Sequence, residues 1–167
     1  MYGIRLQQLR PDHAPAVLAF ERENRAYFAA SVPDRGDGYF AAFEERHRAL
    51  LAEQAAGVCH FHVLLDDATG EVLGRFNLVD VADGEAELGY RVAERAAGRG
   101  LATAAVGALL ELAASAYGLT ALRAVTTPDN AASRAVLART GFTVTGETTL
   151  GGGLPALTFR RSLEATA

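Results

Sequence analysis

The chain has 167 residues, half of them apolar, and a formal net charge of -4. This composition is typical of one folded domain with a buried core, and it excludes a disordered chain. The negative charge argues against nucleic acid as a partner, because phosphate backbones bind to basic surfaces. Cys59 is the only cysteine, which excludes an intrachain disulfide and favours a reducing, cytoplasmic compartment.

The first part of the chain predicts one strand and two helices. Residues 3–9 alternate apolar and polar side chains, which predicts a strand rather than the apolar segment of a signal peptide. Pro11 precedes a helix that is predicted to run from residue 14 to about residue 25. Turn-forming residues predict a loop at 32–38, and apolar side chains at helical spacing predict a second helix at 39–55.

Three strands are predicted next, at residues 58–65, 71–81 and 85–92, and the turn signal at 66–70 indicates an antiparallel meander. The remaining predicted elements are, in order, helix, strand, helix, strand and strand, at residues 99–117, 121–127, 130–139, 143–150 and 155–163. Strands followed by a strand–helix–strand crossover favour an α+β fold, with a mixed sheet in a single domain of residues 1–167.

Residues 101–122 carry one charge, Glu111, over the length of a membrane span. Much of the segment is alanine, which is weakly lipophilic, and Gly107 and Gly118 interrupt it. A buried or half-buried helix is therefore expected here, and no membrane span.

The junction between the strand at 85–92 and the following helix carries the most informative pattern. The first turn of a helix leaves about four backbone N–H groups unpaired, and Ser, Thr, Asp or Asn usually caps them. The start of this helix instead carries Gly98, Arg99 and Gly100, which offer no side-chain acceptor. Open amides, the helix dipole and the charges of Arg95 and Arg99 predict a pyrophosphate site, with a plain glycine N-cap as the alternative.

A second pattern follows Pro128, where Asn130 starts a short helix that Gly141 ends. Capping alone explains Asn130, because asparagine is a favoured N-cap residue. Capping does not explain Ser133, since serine is only moderately suited to the interior of a helix.

In this order and separation, the two segments resemble the signature of the GNAT superfamily of acyltransferases, and the resemblance covers nearly the whole chain. The cofactor motif Arg/Gln-x-x-Gly-x-Gly/Ala matches as Arg95-Ala-Ala-Gly98-Arg-Gly100. The later Asn-x-x-Ser/Ala segment and its closing Gly-Phe match at Asn130, Ser133, Gly141 and Phe142. Within the superfamily the chain is most similar to the RimJ/RimL type, through Glu87-Leu-Gly-Tyr90 and residues 20–28.

The resemblance implies a mostly antiparallel central sheet of about seven strands with about four helices, splayed open where acetyl-CoA binds. It implies acetyl transfer from acetyl-CoA to a primary amine, above all a protein N-terminal α-amine as in RimJ/RimL enzymes. A small-molecule amine acetyltransferase and a non-catalytic acyl-CoA-binding protein are the alternatives. Many such relatives are dimers, so a homodimer is also expected.

The residues that the resemblance assigns to acetyl-CoA are Tyr90, Arg91, Val92, Arg95, Gly98, Arg99, Gly100, Leu101, Ala102, Asn130 and Arg134. Asn130 would bind the pantetheine arm. Arg134 would approach the 3′-phosphate, with a solvated helix face as its alternative.

The catalytic assignments are Glu87 and Ser133. Glu87 would accept the proton of the amine through water, with Glu85 as the alternate base and a solvated strand face as the structural alternative. A backbone N–H near Arg91 or Val92 would stabilise the oxyanion. Many relatives carry a tyrosine acid four residues after the Ser/Ala position, which is Leu137 here. The resemblance therefore suggests Ser133 as the group beside the sulfur, with a structural serine on the helix surface as the alternative.

The histidines predict no metal site. His13 and His47 fall on predicted helical segments, and His60 and His62 share one strand face without a third ligand. Structural roles are therefore expected for all four.

Overall fold

The structure, a computed structural model, describes residues 3–163, which form one seven-stranded sheet with helices on both faces. The strands are β1 (Ile4–Gln8), β2 (His60–Asp66), β3 (Val72–Ala82), β4 (Glu85–Val92), β5 (Ala121–Thr126), β6 (Thr143–Leu150) and β7 (Leu154–Ser162). The helices are α1 (Ala14–Glu23), α2 (Arg25–Ala29), α3 (Asp37–Ala41), α4 (Phe43–Ala55), α5 (Leu101–Ser115) and α6 (Ala131–Arg139). Residues 1–2 and 164–167 of the predicted single domain lie outside the described residues.

The strands lie in the order β1-β2-β3-β4-β5-β7-β6. β1 to β4 form the predicted antiparallel meander, and β5, β7 and β6 pair antiparallel as well. Only the β4–β5 pair is parallel among the described strands, and α5 makes the crossover between the two. The prediction of a mixed, mostly antiparallel α+β sheet is confirmed.

Alternation along β3 and β4 separates the two faces of the sheet. The α5 face carries Phe76 and Tyr90 as a cross-strand pair, whereas the α1 face carries the pair Arg75 and Arg91. α5 packs on the first face and α1 on the second. The described core residues are contiguous through the sheet, from Leu9 to Phe159.

α5 is the helix that the sequence predicts to be buried, and Ala105, Val106, Leu109 and Ala113 are each 0% exposed. It has 15 residues. Among the described helices, none combines the length and the apolar content that a bilayer crossing requires.

Six α-helices occur within residues 3–163, where the sequence predicts about four, because two short helices adjoin the predicted ones. The helix predicted to end near residue 25 breaks at Asn24 and continues as α2. At the break, the buried Asn24 side chain donates from its Nδ2 to the Phe20 carbonyl at 2.9 Å, a bond that competes with continuation of the helix. Its Oδ1 accepts from the Glu94 N–H at 3.0 Å and thereby ties α1 to the loop after β4.

Candidate active site

β4 and β5 pair only over their first residues and then separate. The paired positions are Glu85 with Ala121, Ala86 with Leu122 and Glu87 with Arg123. β4 nevertheless continues to Val92 and β5 to Thr126. The result is a cleft between residues 88–92 and 124–126 in the middle of the sheet, which confirms the predicted splay.

Backbone groups of β4 line this cleft. The Ala93 N–H donates to the Leu73 carbonyl at 2.8 Å, on the β3 side of the strand. Because N–H directions alternate along a strand, the Arg91 N–H also points toward β3, whereas those of Tyr90 and Val92 point into the cleft. Of the two amides predicted for the oxyanion, the structure therefore favours that of Val92.

α5 begins at the cleft with two glycines in the left-handed region. Gly98 has φ 73° and Gly100, the N-cap, has φ 75°, a conformation that side chains other than glycine rarely adopt. No side chain caps the helix. The first backbone bond of α5 runs from the Ala104 N–H to the Gly100 carbonyl at 3.1 Å. Within residues 3–163, the N–H groups of residues 98–103 have no hydrogen-bond acceptor. The open donors predicted from the sequence are present.

The two arginines of this loop differ in their surroundings. Arg95 lies in a single 3-10 turn, Glu94–Ala96, and its guanidinium is 3.0 Å from the Glu71 carboxylate in a half-exposed ion pair. Arg99 is exposed between the two glycines. A phosphate at the start of α5 would meet Arg99 directly, but it would compete with Glu71 for Arg95. Leu101 and Ala102 form the half-buried first turn of the helix.

Asn130 and Arg134 lie at the start of α6. The Asn130 Oδ1 accepts from the Ser133 N–H at 3.1 Å, so the N-cap interpretation of Asn130 is correct, and its Nδ2 stays available to donate. Arg134 is exposed and donates to the Pro128 carbonyl at 2.9 Å, which fixes its side chain across the same turn. Their assignment to the cofactor stays a prediction.

Tyr90, which the sequence assigns to acetyl-CoA, also brings a phenol to the cleft whose catalytic role the sequence analysis did not consider. Its ring stacks on Phe76 with centroids 5.3 Å apart, on the α5 face. Burial raises the pKa of the Tyr90 phenol, and the nearby Ser133 hydroxyl opposes that rise. A protonated phenol from β4 therefore meets the hydroxyl of Ser133 from α6 at the cleft. The alternation of β4 places Tyr90 on the face of Leu88, but only the fold brings it to α6.

The two candidate bases lie on the α1 face of β4. Glu85 is ion-paired, at 3.3 Å from Arg160 and 3.7 Å from Arg123. Glu87 is half-buried, and no ion pair joins it to another residue of the described chain. Because Glu87 is not held by a cation, it is the better placed of the two to exchange a proton.

The four histidines have structural surroundings, and the His13 Nδ1 accepts from the Arg10 N–H at 3.0 Å. The His47 Nε2 lies 3.0 Å from the Arg10 carbonyl, and His60 stacks on Tyr117 with centroids 3.7 Å apart. The His62 Nδ1 lies 3.0 Å from the Phe76 carbonyl and its Nε2 lies 2.5 Å from the Tyr117 hydroxyl. Residues 3–163 contain no group of three potential ligands that could hold a metal ion.

Comparison with solved structures shows the same fold over the whole chain. A ribosomal-protein-S5-alanine acetyltransferase from Vibrio fischeri superposes with a TM-score of 0.92 at 18% identity, covering 100% of this chain and 97% of the other. RimJ of Mycobacterium smegmatis, in complex with CoA-disulfide, gives 0.85 at 26% identity, covering 95% and 81%. A chimera of the spermidine N-acetyltransferase SpeG from Vibrio cholerae and hSSAT gives 0.76 at 13% identity, covering 96% of each chain.

At the level of sequence, no curated protein matches the chain. A family model described as an acetyltransferase (GNAT) domain matches residues 4–143, and this range includes the cleft and the starts of both α5 and α6. The chain therefore belongs to the GNAT acetyltransferase family and is an N-acetyltransferase that uses acetyl-CoA.

Proposed function

We propose that the chain acetylates a protein N-terminal α-amine, as a single-domain enzyme of the cytoplasm. The observation that carries this proposal is the likeness, over 100% of this chain and 97% of the other, to an acetyltransferase of a ribosomal protein. The spermidine enzyme in the comparison favours a small-molecule amine as the second candidate. We also propose that the chain assembles as a homodimer. The molar mass in solution, measured by light scattering, tests this assembly.

The start of α5 fits the diphosphate of acetyl-CoA. Six consecutive amides, at residues 98–103, have no acceptor within the described chain, and the helix dipole adds positive potential at the same place. Arg99 supplies a full charge beside them. The amides of Tyr90 and Val92 and the free Nδ2 of Asn130 then remain as donors along the cleft, where the pantetheine arm would lie.

Acetyl-CoA supplies the acetyl group as a thioester, and the protein has three tasks in the transfer. Glu87 accepts the proton of the acceptor ammonium, through a water, so that the neutral amine can attack the carbonyl carbon. The Val92 N–H donates to the carbonyl oxygen while negative charge develops on it. The C–S bond then breaks, and Ser133 supplies a proton to the departing sulfur.

Tyr90 completes the proton path to the sulfur. Because burial raises its pKa, the phenol stays protonated at neutral pH and can replace the proton that Ser133 gives away. This arrangement compensates for Leu137, which stands where many relatives carry a tyrosine. Tyr90 thus supplies from β4 the hydroxyl that those relatives carry on the helix corresponding to α6.

Thiol release from acetyl-CoA tests the function, with a panel of short peptides carrying free N-termini, their N-formylated controls, spermidine and free amino acids. Acetylation of the peptides, abolished by the formyl group, is the expected result. Turnover with spermidine alone would favour the small-molecule alternative. Binding of CoA without turnover on any amine would leave the non-catalytic alternative.

A further inference from the structure

A buried carboxylate on α1 gathers three guanidinium groups beside the cleft. Glu21 is 2% exposed, and its oxygens lie 2.8 Å from Arg35, 3.1 Å from Arg75 and 3.7 Å from Arg91. The Arg75 side chain, at 6% exposure, is buried with it and also donates to the Tyr39 hydroxyl at 3.3 Å. One negative charge therefore faces three positive charges.

The nearby acidic residues do not balance this excess. Asp34 and Asp37 lie 2.8 and 2.9 Å from Arg25, which pairs with both of them. Together, Glu21, Asp34 and Asp37 supply three negative charges. The four arginines around them, Arg25, Arg35, Arg75 and Arg91, supply four positive charges. The Asp37 side chain is 96% exposed, so water screens its charge. The inner cluster around Glu21 keeps an excess of positive charge.

Two of the three guanidiniums reach the surface. The side chains of Arg35 and Arg91 are 30% and 26% exposed, and they line a shallow surface depression with Phe28, Phe40, Glu21 and the Arg25–Asp34 ion pair. The Phe28 ring lies under Arg91, with 5.1 Å from its centroid to the guanidinium carbon. Burial and the charges of Arg35 and Arg75 lower the pKa of Arg91, so an added anion here would be stabilising. Because both guanidiniums are partly exposed, a carboxylate can approach them from solvent.

The depression adjoins the place where the acceptor would lie. Glu87, Gly89 and Arg91 follow one another on the α1 face of β4. Gly89 is exposed, and a side chain added to it would contact nothing within 4 Å, so the surface between Glu87 and Arg91 is open. Four residues of strand span roughly 13 Å. An acceptor lying along this surface can therefore reach both the base and the arginines.

We infer that Arg35 and Arg91 select amine acceptors that carry a carboxylate close to the reactive amine. For a peptide, the acidic side chain belongs at the second or third position, because two extended residues span roughly 7 Å and the aspartate and arginine side chains bridge the remaining distance. For a small molecule, it is the carboxylate of an acidic amino acid. The inference rests on the proposed acetyl transfer and names the substrate class that the site prefers.

The test compares peptides that differ only in Asp or Asn at positions two and three, in the thiol-release assay. The wild type is expected to show a kcat/KM about tenfold higher for the Asp peptide, the effect of one charge-assisted hydrogen bond at a half-exposed site. Arg35→Gln should reduce the ratio of the two kcat/KM values to about threefold or less, and the ratio is the readout because both peptides meet the same variant. Arg35→Lys, which keeps the charge, should retain part of the preference.

Arg5→Gln is the matched control, because Arg5 lies on edge strand β1 in an exposed ion pair with Asp67 and should keep the full preference. Equal kcat/KM for Asp and Asn peptides, or an unchanged preference in Arg35→Gln, would overturn the inference while leaving N-terminal acetylation intact. Turnover with free aspartate or glutamate, but with no peptide, would support the inference and overturn the proposed protein acceptor. Faster turnover of spermidine than of either acidic class would overturn both.

Discussion

Glu87 is the last residue of β4 that pairs with β5, and its partner there is Arg123. Beyond this pair the two strands separate, so the carboxylate marks the closed end of the cleft. Its side chain lies on the α1 face, opposite the face on which Tyr90 meets Ser133. The sheet therefore separates the group that would deprotonate the amine from the groups that would protonate the sulfur.

Replacing the proposed base tests the first of these roles. Glu87→Gln should lower kcat by roughly 10² or more, because the amide cannot accept the ammonium proton, while the affinity for CoA stays the same. Steady-state thiol release and calorimetry measure the two quantities. Glu85→Gln is the matched control, since Glu85 is already ion-paired, and it should keep most of the turnover. Wild-type kcat in Glu87→Gln would exclude the assignment.

Replacing Tyr90 and Ser133 tests the second role. Tyr90→Phe and Ser133→Ala should each lower kcat by at least about 10², and the double variant should be little worse than either one, because the two hydroxyls act as a unit. Since the pKa of the phenol is raised, kcat should not fall through its ionisation anywhere between pH 7 and 9.

The control for the serine is Ser115→Ala at the far end of α5, where the hydroxyl bonds only to the Glu111 carbonyl. It should match the wild type. If the loss of kcat in the double variant equals the product of the two single losses, Tyr90 and Ser133 act independently. That result would contradict a shared proton path.

His62 predicts how stability depends on pH. Its Nδ1 must donate to the Phe76 carbonyl, so its Nε2 accepts from the Tyr117 hydroxyl, and burial lowers the pKa of the ring from 6.5 to about 4. As the pH falls, the His62 ring therefore binds a proton at a higher pH in the unfolded chain than in the folded chain. The free energy of unfolding should therefore fall by about 3 kcal/mol between pH 6.5 and pH 4.

Urea unfolding over this range measures the effect. His62→Asn, which can still donate to the Phe76 carbonyl, should flatten the pH dependence, whereas His60→Asn should flatten it less. The pKa of His60 is also lowered by burial, which gives its contribution the same sign. An unchanged slope in His62→Asn would contradict the neutral, buried ring.

The sequence predicted what depends on local pattern. Alternation along residues 85–92 and the glycines at 98 and 100 were sufficient for the strand, the loop and the helix start. The N-cap of α6 could also be predicted, because Asn130 accepts from the Ser133 N–H within a single turn of the chain. The order of strands and helices along the chain then predicted the mixed α+β sheet.

What the sequence did not predict depends on distant residues. Glu21 and Arg91 are 70 positions apart, and only the packing of α1 on the sheet brings them within 3.7 Å. The break at Asn24 requires the Glu94 N–H of a remote loop as a partner. The proximity of Tyr90 to Ser133 likewise requires α6 to fold back over β4. Pairs of this kind leave no periodic pattern in the sequence.

The central claim is that the unpaired amides at the start of α5 bind a diphosphate, and calorimetry with CoA and with pantetheine tests it most directly. The wild type should bind CoA at least about 100-fold more tightly than pantetheine, which lacks the diphosphate. Gly100→Asp should remove most of that difference, because its carboxylate would accept from the same amides and repel the anion. Gly118→Asp, at another exposed glycine with positive φ, should bind CoA like the wild type. Equal affinity of the wild type for CoA and pantetheine, or tight CoA binding by Gly100→Asp, would contradict the claim.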